Sequence, residues 1–194
     1  MRVSGPWVGA NRLARGAFRA VNDYSMGALV LRIRGSETGN KGNEKMARSD
    51  FEFVYNLRIR WSEVDKQGIV FNGHYLMYFD VGITEYYRAI GMPYPDAIVS
   101  EGADLYAKKA EIEYHASAEY DDLVDVCVRV ARIGGSSFQF RIELYRGEEL
   151  LVSGSLVYVN ANPETRKSAP VPDFLRDAFR KFETVAPEEG SARR

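Results

Sequence analysis

The residues best suited to chemistry lie in one short stretch between two apolar segments, residues 61–75 (WSEVDKQGIVFNGHY). Asp65 is an acid in a predicted loop, and Gly68 lets that loop turn and lets a ligand approach the backbone. Asn72-Gly73 opens a predicted helix, whose first N–H groups and positive dipole end could hold an oxyanion. One carboxylate and one oxyanion hole are a minimal set for acyl-transfer hydrolysis.

The same residue types also have structural interpretations. From spacing alone, a loop acid such as Asp65 is more often a turn or capping residue than a catalytic acid, and Asn72 is more often a helix cap than a site residue. His74 is either an exposed or hydrogen-bonded side chain or a general base. Glu85, in the middle of the predicted helix, is either a paired structural acid or a second catalytic carboxylate. Cys127 alternates within a strand and is interpreted as a small core or interface residue.

Two elements flank this stretch. Apolar residues alternate over 51–61, which predicts a strand. A helix is predicted from Asn72-Gly73 to about Ile90, with Asn72 as N-cap and Gly91 as the stop. Because this helix is apolar on most sides, we expect other elements to bury most of it.

Four further strands are predicted from alternation over residues 109–114, 124–130, 138–144 and 150–159, with Gly154 at a bulge or close approach. Asp173 is the predicted N-cap of a short amphipathic helix that ends at Phe182. Pro187–Arg194 is expected to be a frayed tail. The predicted fold class is α+β, an antiparallel five-stranded sheet wrapped around one long central helix.

Composition excludes several classes of function. With 26 Lys+Arg, 27 Asp+Glu and a net charge of −1, the chain lacks the basic balance that holds nucleic acid, so no nucleic-acid partner is expected. One cysteine and two histidines argue against a disulfide framework and against a metal site. No run approaches the ~18 apolar residues of a membrane span. We therefore expect a soluble, cytoplasmic protein.

The first 45 residues differ from the remainder. They contain eight Lys/Arg and only three acids, and they show no sustained periodicity. This leader is a transit peptide, a basic arm for an acidic partner, or sequence upstream of a natural start at Met46. We favour the third interpretation and expect the leader to be poorly ordered. Residues 46–194 are then the folded domain with its short C-terminal helix and tail.

A local motif occurs together with the predicted order of helices and strands. It is D-x-x-G-[IV]-V…Y-L, formed by Asp65, Gly68, Ile69-Val70 and Tyr75-Leu76. Further matching segments are residues 60–65, 72, 79–80, 125–130, 135–138 and 162–172. Together they resemble the hotdog-fold acyl-CoA thioesterases of the 4-hydroxybenzoyl-CoA thioesterase family, over about residues 51–172.

The resemblance implies hydrolysis of an acyl-CoA thioester to the free acid and CoA. Asp65 would be the nucleophile or general base, and a backbone N–H near Asn72 or Gly73 would bind the thioester oxygen. Substrate-binding residues would be Trp61, Gly68, His74, Tyr75 and Phe79.

The resemblance also implies a homodimer or homotetramer with sites at the subunit interface and CoA lying near the partner's strands. No metal and no cofactor are implied, because CoA is part of the substrate. Candidates for contacts with the nucleotide phosphates are Arg129, Arg132 and Arg141.

Neither of two subgroups of the family fits completely. One has a tyrosine where this chain has Trp61 and a histidine where it has Asn72, and the other has a histidine in place of Ile69. An alternative function is therefore a non-catalytic hotdog protein that binds an acyl thioester. A hotdog hydratase ranks lower, because it would need a histidine where Val70 stands.

Overall fold

The computed structural model describes residues 48–190, which form an antiparallel sheet with a long helix packed on one face. The long strands are β1 (Phe53–Arg58), β2 (Asp104–Tyr114), β3 (Leu123–Ile133), β4 (Ser137–Arg146) and β5 (Glu149–Ala161). Their order in the sheet is β1-β3-β4-β5-β2, and every neighbouring pair is antiparallel. The helices are α1 (His74–Ala89), α2 (Asp96–Val99) and α3 (Asp173–Phe182). This confirms the predicted combination of an antiparallel sheet and one long helix.

The core forms between α1 and the inner face of the sheet. The alternating apolar residues predicted for β3 and β4 all point to this face, where each is at most 1% exposed. They are Val124, Val126, Val128, Val130, Phe138, Phe140, Ile142 and Leu144. From the helix, Phe79, Ile83 and Tyr86 are buried against them.

Two glycines allow α1 to lie close to the sheet. A Cβ at Gly82 would come within 2.6 Å of Val126 Cγ1, so only a glycine fits at this crossing. On β5, a Cβ at Gly154 would meet the Phe79 ring at 2.6 Å and the Glu111 carbonyl oxygen at 2.3 Å. The close approach predicted for Gly154 is confirmed.

One side of α1 remains open. Leu76 is 42% exposed and Met77 is 59% exposed, so the expectation of burial on most sides is wrong for this side of the helix. The sheet covers one face, and the rings of Phe179 and Phe182 on α3 lie against Tyr86. Within residues 48–190, no other element covers Leu76 and Met77.

The first strand ends earlier than predicted, at Arg58 rather than Trp61. The Arg60 N–H donates to Glu63 Oε2 at 2.8 Å, and this bond folds residues 61–63 into one turn of 3₁₀ helix. Trp61 therefore leaves the sheet and is 74% exposed, with its ring edge-on to Tyr120.

Both predicted helix caps are corrected by one position. The N-cap of α1 is Gly73 rather than Asn72, and the N-cap of α3 is Pro172 rather than Asp173. Neither cap position makes a side-chain hydrogen bond. In α1, the Asn72 carbonyl accepts the Tyr75 N–H at 3.4 Å, so the backbone of Asn72 closes the first turn.

The expected frayed tail is wrong for residues 188–190. Glu188–Glu189 form a short strand, β6, parallel to the end of β3, where β1 no longer pairs. Arg176 and Arg180 of α3 form ion pairs with Glu189, which hold this strand in place. Residues 191–194 and the predicted leader 1–45 lie outside the described residues.

In the part of the chain that the structure describes, no helix is long and apolar enough to cross a membrane. The cytoplasmic location inferred from the sequence stays a prediction.

Replacing Gly82 with alanine tests the close crossing of α1 and β3. We expect Gly82→Ala to lower the free energy of unfolding by about 1–3 kcal/mol, because the new methyl overpacks Val126. This is the opposite of the ~1 kcal/mol gain that alanine brings at an unhindered helix position. Urea unfolding measures the difference, with Leu76→Ala on the open side as control. A Gly82→Ala protein as stable as the parent would contradict the crossing.

Candidate active site

The loop that carries Asp65 folds back on itself as a short hairpin. Val64 and Val70 pair across it, and the Asp65 N–H donates to the Ile69 carbonyl at 2.9 Å. At its tip, Gly68 has φ of 81°, a left-handed conformation that favours glycine. The Gly68 N–H donates to the Asp65 carbonyl at 3.0 Å and closes the turn.

The Asp65 carboxylate has one bond in this turn and remains partly open. Its Oδ1 accepts the Gln67 N–H at 2.7 Å, which is the turn role considered from the sequence. Among the described residues, no group bonds the other carboxylate oxygen. The side chain is partly exposed, so this oxygen is accessible to water or to a ligand.

Glu63 anchors this loop to α1. Its carboxylate is buried and accepts the Tyr78 hydroxyl at 2.9 Å and the Arg60 Nε at 2.7 Å. Its carbonyl accepts the Phe71 N–H at 3.0 Å, which ties the two ends of the hairpin together. Burial acts to raise the pKa of Glu63, but bonds from Arg60 and Tyr78 outweigh burial and lower the pKa. Glu63 is therefore held as a charged anchor two residues before Asp65.

The start of α1 leaves two backbone amides unpaired. The His74 N–H donates to the Phe71 carbonyl at 2.9 Å, and the Tyr75 N–H is used in the first turn. Among the described residues, no acceptor takes the N–H of Asn72 or of Gly73. Both residues are exposed and lie at the positive end of the helix dipole. These amides are suited to bind an oxyanion.

Asp65 and the helix start lie on connected segments of the chain. Asp65 lies opposite Ile69 in the hairpin, and Asn72 follows three residues after Ile69. Within residues 48–190, no hydrogen bond joins Asp65 to Asn72 or Gly73. Both segments are therefore available to a bound thioester group.

Comparison with protein families gives a match to the thioesterase superfamily over residues 67–153. The chain carries a thioesterase superfamily domain. The match contains Gly68, Asn72 and Gly73 and begins two residues after Asp65.

Two curated relatives are similar to this domain. The acyl-CoA thioesterase YbgC of Haemophilus influenzae is 24% identical over 67% of this chain and 96% of its own. A putative esterase of Aquifex aeolicus is 29% identical over 52% of this chain and 77% of its own.

Solved structures give the same fold. A 1,4-dihydroxy-2-naphthoyl-CoA thioesterase from Synechocystis has a TM-score of 0.60 at 22% identity, covering 66% of this chain and 94% of its own. A probable thioesterase from Bartonella henselae has a TM-score of 0.58 at 25% identity, covering 62% of this chain and 98% of its own. The predicted hotdog fold of the thioesterase domain is confirmed.

The other predicted site residues of the thioesterase domain divide into exposed and buried groups. Trp61 is exposed, and His74 is partly buried between Phe71 and Tyr78. Tyr75 is buried, and its hydroxyl accepts the Ala118 N–H at 2.9 Å. Phe79 is fully buried over Gly154, so it shapes the core below the helix start. Their substrate-binding roles stay predictions.

Two of the three arginines proposed for nucleotide phosphates are committed to contacts within the domain. Arg129 is 4% exposed and donates to the Val185 carbonyl at 2.7 Å. Arg141 pairs with Glu143 at 3.2 Å. Arg132 is exposed and lines a cavity of about 720 Å³ beside the β3–β4 turn.

Glu85 and Cys127 have structural roles. Glu85 forms an ion pair with Arg88 one turn further along α1, which is the paired acid considered from the sequence. Cys127 is fully buried with Phe51 and Tyr145 outside the main core. Burial raises the pKa of its thiol to about 12, so the thiol stays protonated near neutral pH.

Sequence reasoning missed Glu63, Tyr78 and Tyr114 as parts of this site. A signal for Glu63 was present, because an acid three residues after Arg60 has the spacing of a capping box. The sequence predicts only that Tyr78 lies in the long helix and Tyr114 in the strand over residues 109–114. Their hydroxyl partners, Glu63 and the Asn72 carbonyl, are distant in sequence and are set by the fold.

Replacing Glu63 with glutamine tests the charged anchor. A carboxylate whose pKa is lowered on folding stabilises the folded state above its unfolded pKa. That stability is lost as the pH falls through the folded pKa. We therefore expect Glu63→Gln to be less stable than the parent at pH 7, and the difference to shrink as the pH falls below about 4.5.

Urea unfolding between pH 7 and pH 3.5 measures this difference. Glu101→Gln, at an exposed acid, is the matched control and should follow the parent at every pH. A deficit in Glu63→Gln that stays constant across this range would show that the charge of Glu63 is not the stabilising feature.

Proposed function

We propose that the domain hydrolyses an acyl-CoA thioester to the free acid and CoA, with Asp65 as nucleophile or general base. The observation that carries this proposal is the pair of unpaired amides, Asn72 N–H and Gly73 N–H, at the start of α1. The hairpin just before them carries the Asp65 carboxylate, one oxygen of which accepts no hydrogen bond from the described residues. The thioesterase family match and the similarity to acyl-CoA thioesterase YbgC support the reaction class.

Both candidate routes pass through an oxyanion that the same two amides would hold. As nucleophile, the Asp65 carboxylate attacks the thioester carbon, the amides hold the resulting oxyanion, and expulsion of the CoA thiolate leaves a mixed anhydride. Water then hydrolyses the anhydride and restores the carboxylate. As general base, Asp65 takes a proton from water while the water oxygen attacks the same carbon. The C–S bond then breaks, the CoA thiolate leaves and takes up a proton, and the free acid remains. A thiol of ordinary pKa, about 8.5, leaves with little help from an acid.

The oligomer is part of this proposal. The helix start lies near the beginning of β3, whereas Arg132 and its cavity lie at the other end of that strand. One ester molecule would contact a helix start and an Arg132 most simply if these two groups came from two different copies of the chain. β2 pairs only with β5 among the described residues, so its outer edge is open to a second copy. We propose a homodimer or homotetramer on these grounds.

Replacing Asp65 with asparagine tests the acid. We expect Asp65→Asn to lower thiol release from acyl-CoA esters by about 10³-fold or more, because it removes the nucleophile or base. Folding and ester binding should persist, since Asp65 forms only a local turn bond.

The assay follows free thiol with short, long and aromatic acyl-CoA esters. Exposed Asp96 provides the control variant Asp96→Asn, which should match the parent. Undiminished release by Asp65→Asn would contradict the assignment. Ester binding without release by the parent would instead favour a non-catalytic acyl-thioester-binding protein.

Replacing Arg132 with alanine tests the nucleotide end of the substrate. We expect Arg132→Ala to raise KM several-fold with little change in kcat, because phosphate binding far from the thioester contributes equally before and during reaction. Lys181→Ala, at an exposed cation on α3, is the matched control. An unchanged KM for CoA esters would remove Arg132 from the binding site.

A further inference from the structure

Tyr114 places a hydroxyl at the start of α1 from a different part of the fold. It is the last residue of β2, and its hydroxyl donates to the Asn72 carbonyl oxygen at 3.2 Å. Its ring packs edge-on against Tyr75, with ring centroids 5.6 Å apart. The side chain is 51% exposed, so it lies at the surface of the candidate site.

The bonded carbonyl shares a peptide unit with one of the unpaired amides. The Asn72 carbonyl and the Gly73 N–H belong to the same planar group, and in a trans peptide they point in opposite directions. A bond that holds the carbonyl therefore also sets the direction of the Gly73 N–H. That N–H has no acceptor among the described residues and points away from the tyrosine.

Few other contacts hold this peptide. The Asn72 carbonyl also accepts the Tyr75 N–H, at the longer distance of 3.4 Å. Gly73 is the N-cap, and a glycine has more backbone freedom than any other residue. Among residues 48–190, no hydrogen bond from the Asn72 side chain could replace the bond from the tyrosine. Of the two hydrogen bonds to this carbonyl oxygen, the one from the Tyr114 hydroxyl is thus the shorter.

We propose that Tyr114 is a positioning residue for thioester hydrolysis, whose hydroxyl holds the Asn72–Gly73 peptide so that the Gly73 N–H faces the thioester oxygen. This inference rests on the proposed function. It adds a role for β2, which the sequence assigned only to the sheet. An oxyanion donor is effective when its direction is set before the reaction, because no free energy is then spent on reorganisation.

Tyr114→Phe removes the hydroxyl and keeps the ring against Tyr75. Loss of one oxyanion donor lowers kcat by about 10²–10³-fold, so a donor left in place without its restraint should cost about tenfold or more. We expect kcat to fall by that factor while KM stays within about twofold, because the oxyanion forms only during reaction.

Tyr120→Phe is the matched control. Tyr120 is 53% exposed, its ring packs on Trp61, and no described group bonds its hydroxyl. We expect it to keep the kcat and KM of the parent. Urea unfolding of both variants confirms that they fold, and a purely structural role of Tyr114 would change stability without this selective loss of kcat.

The outcomes separate this inference from the function on which it rests. If the parent releases thiol and Tyr114→Phe keeps its kcat, the positioning role is overturned and the thioesterase stands. A Tyr114→Phe protein in which KM rises and kcat does not fall would likewise overturn it. If the parent releases no thiol from any ester, both proposals fail together.

Discussion

The close packing of α1 against the sheet is the constraint on which the rest of the structure depends. The helix crosses β3 at Gly82 and presses Phe79 onto Gly154, with no room for a side chain at either glycine. Protein interiors are packed as densely as organic crystals, so such a crossing fixes the position and rotation of the helix. The helix start is thereby fixed too, and its free amides point in a direction set by the core.

Two buried glutamates extend this constraint from the core to both halves of α1. Glu63 accepts the Tyr78 hydroxyl and holds the Asp65 hairpin, whereas Glu183, directly after α3, accepts the Tyr86 hydroxyl at 2.6 Å. Bonds to Glu63 lower its pKa, whereas the deeper burial of Glu183 raises its pKa despite its own bonds. The Asp65 hairpin and the C-terminal helix are therefore attached to the same helix by related contacts.

Local patterns predicted the elements well, and long-range contacts account for the errors. The alternation in β3 and β4 and the apolar stripe of α1 reflect burial on one face, which sequence periodicity reports directly. Trp61 left the predicted strand because Glu63 bonds Arg60 and Tyr78. The supposed tail became β6 because α3 carries two arginines that pair with Glu189. The Arg60–Glu63 spacing is local, but the Tyr78 partner of Glu63 and the arginine partners of Glu189 are not evident from neighbouring residues.

For this protein, the sequence alone determined the fold class, the order of the elements and the short stretch in which Asp65 and the helix start lie. These follow from hydrophobic periodicity, from glycine positions and from a motif of local spacing. Only the tertiary structure decided that Asn72 is not a cap, that Arg129 is buried and that Tyr114 reaches the helix start. Each of these depends on residues that are distant in the chain and become neighbours only when the sheet pairs and the helix packs.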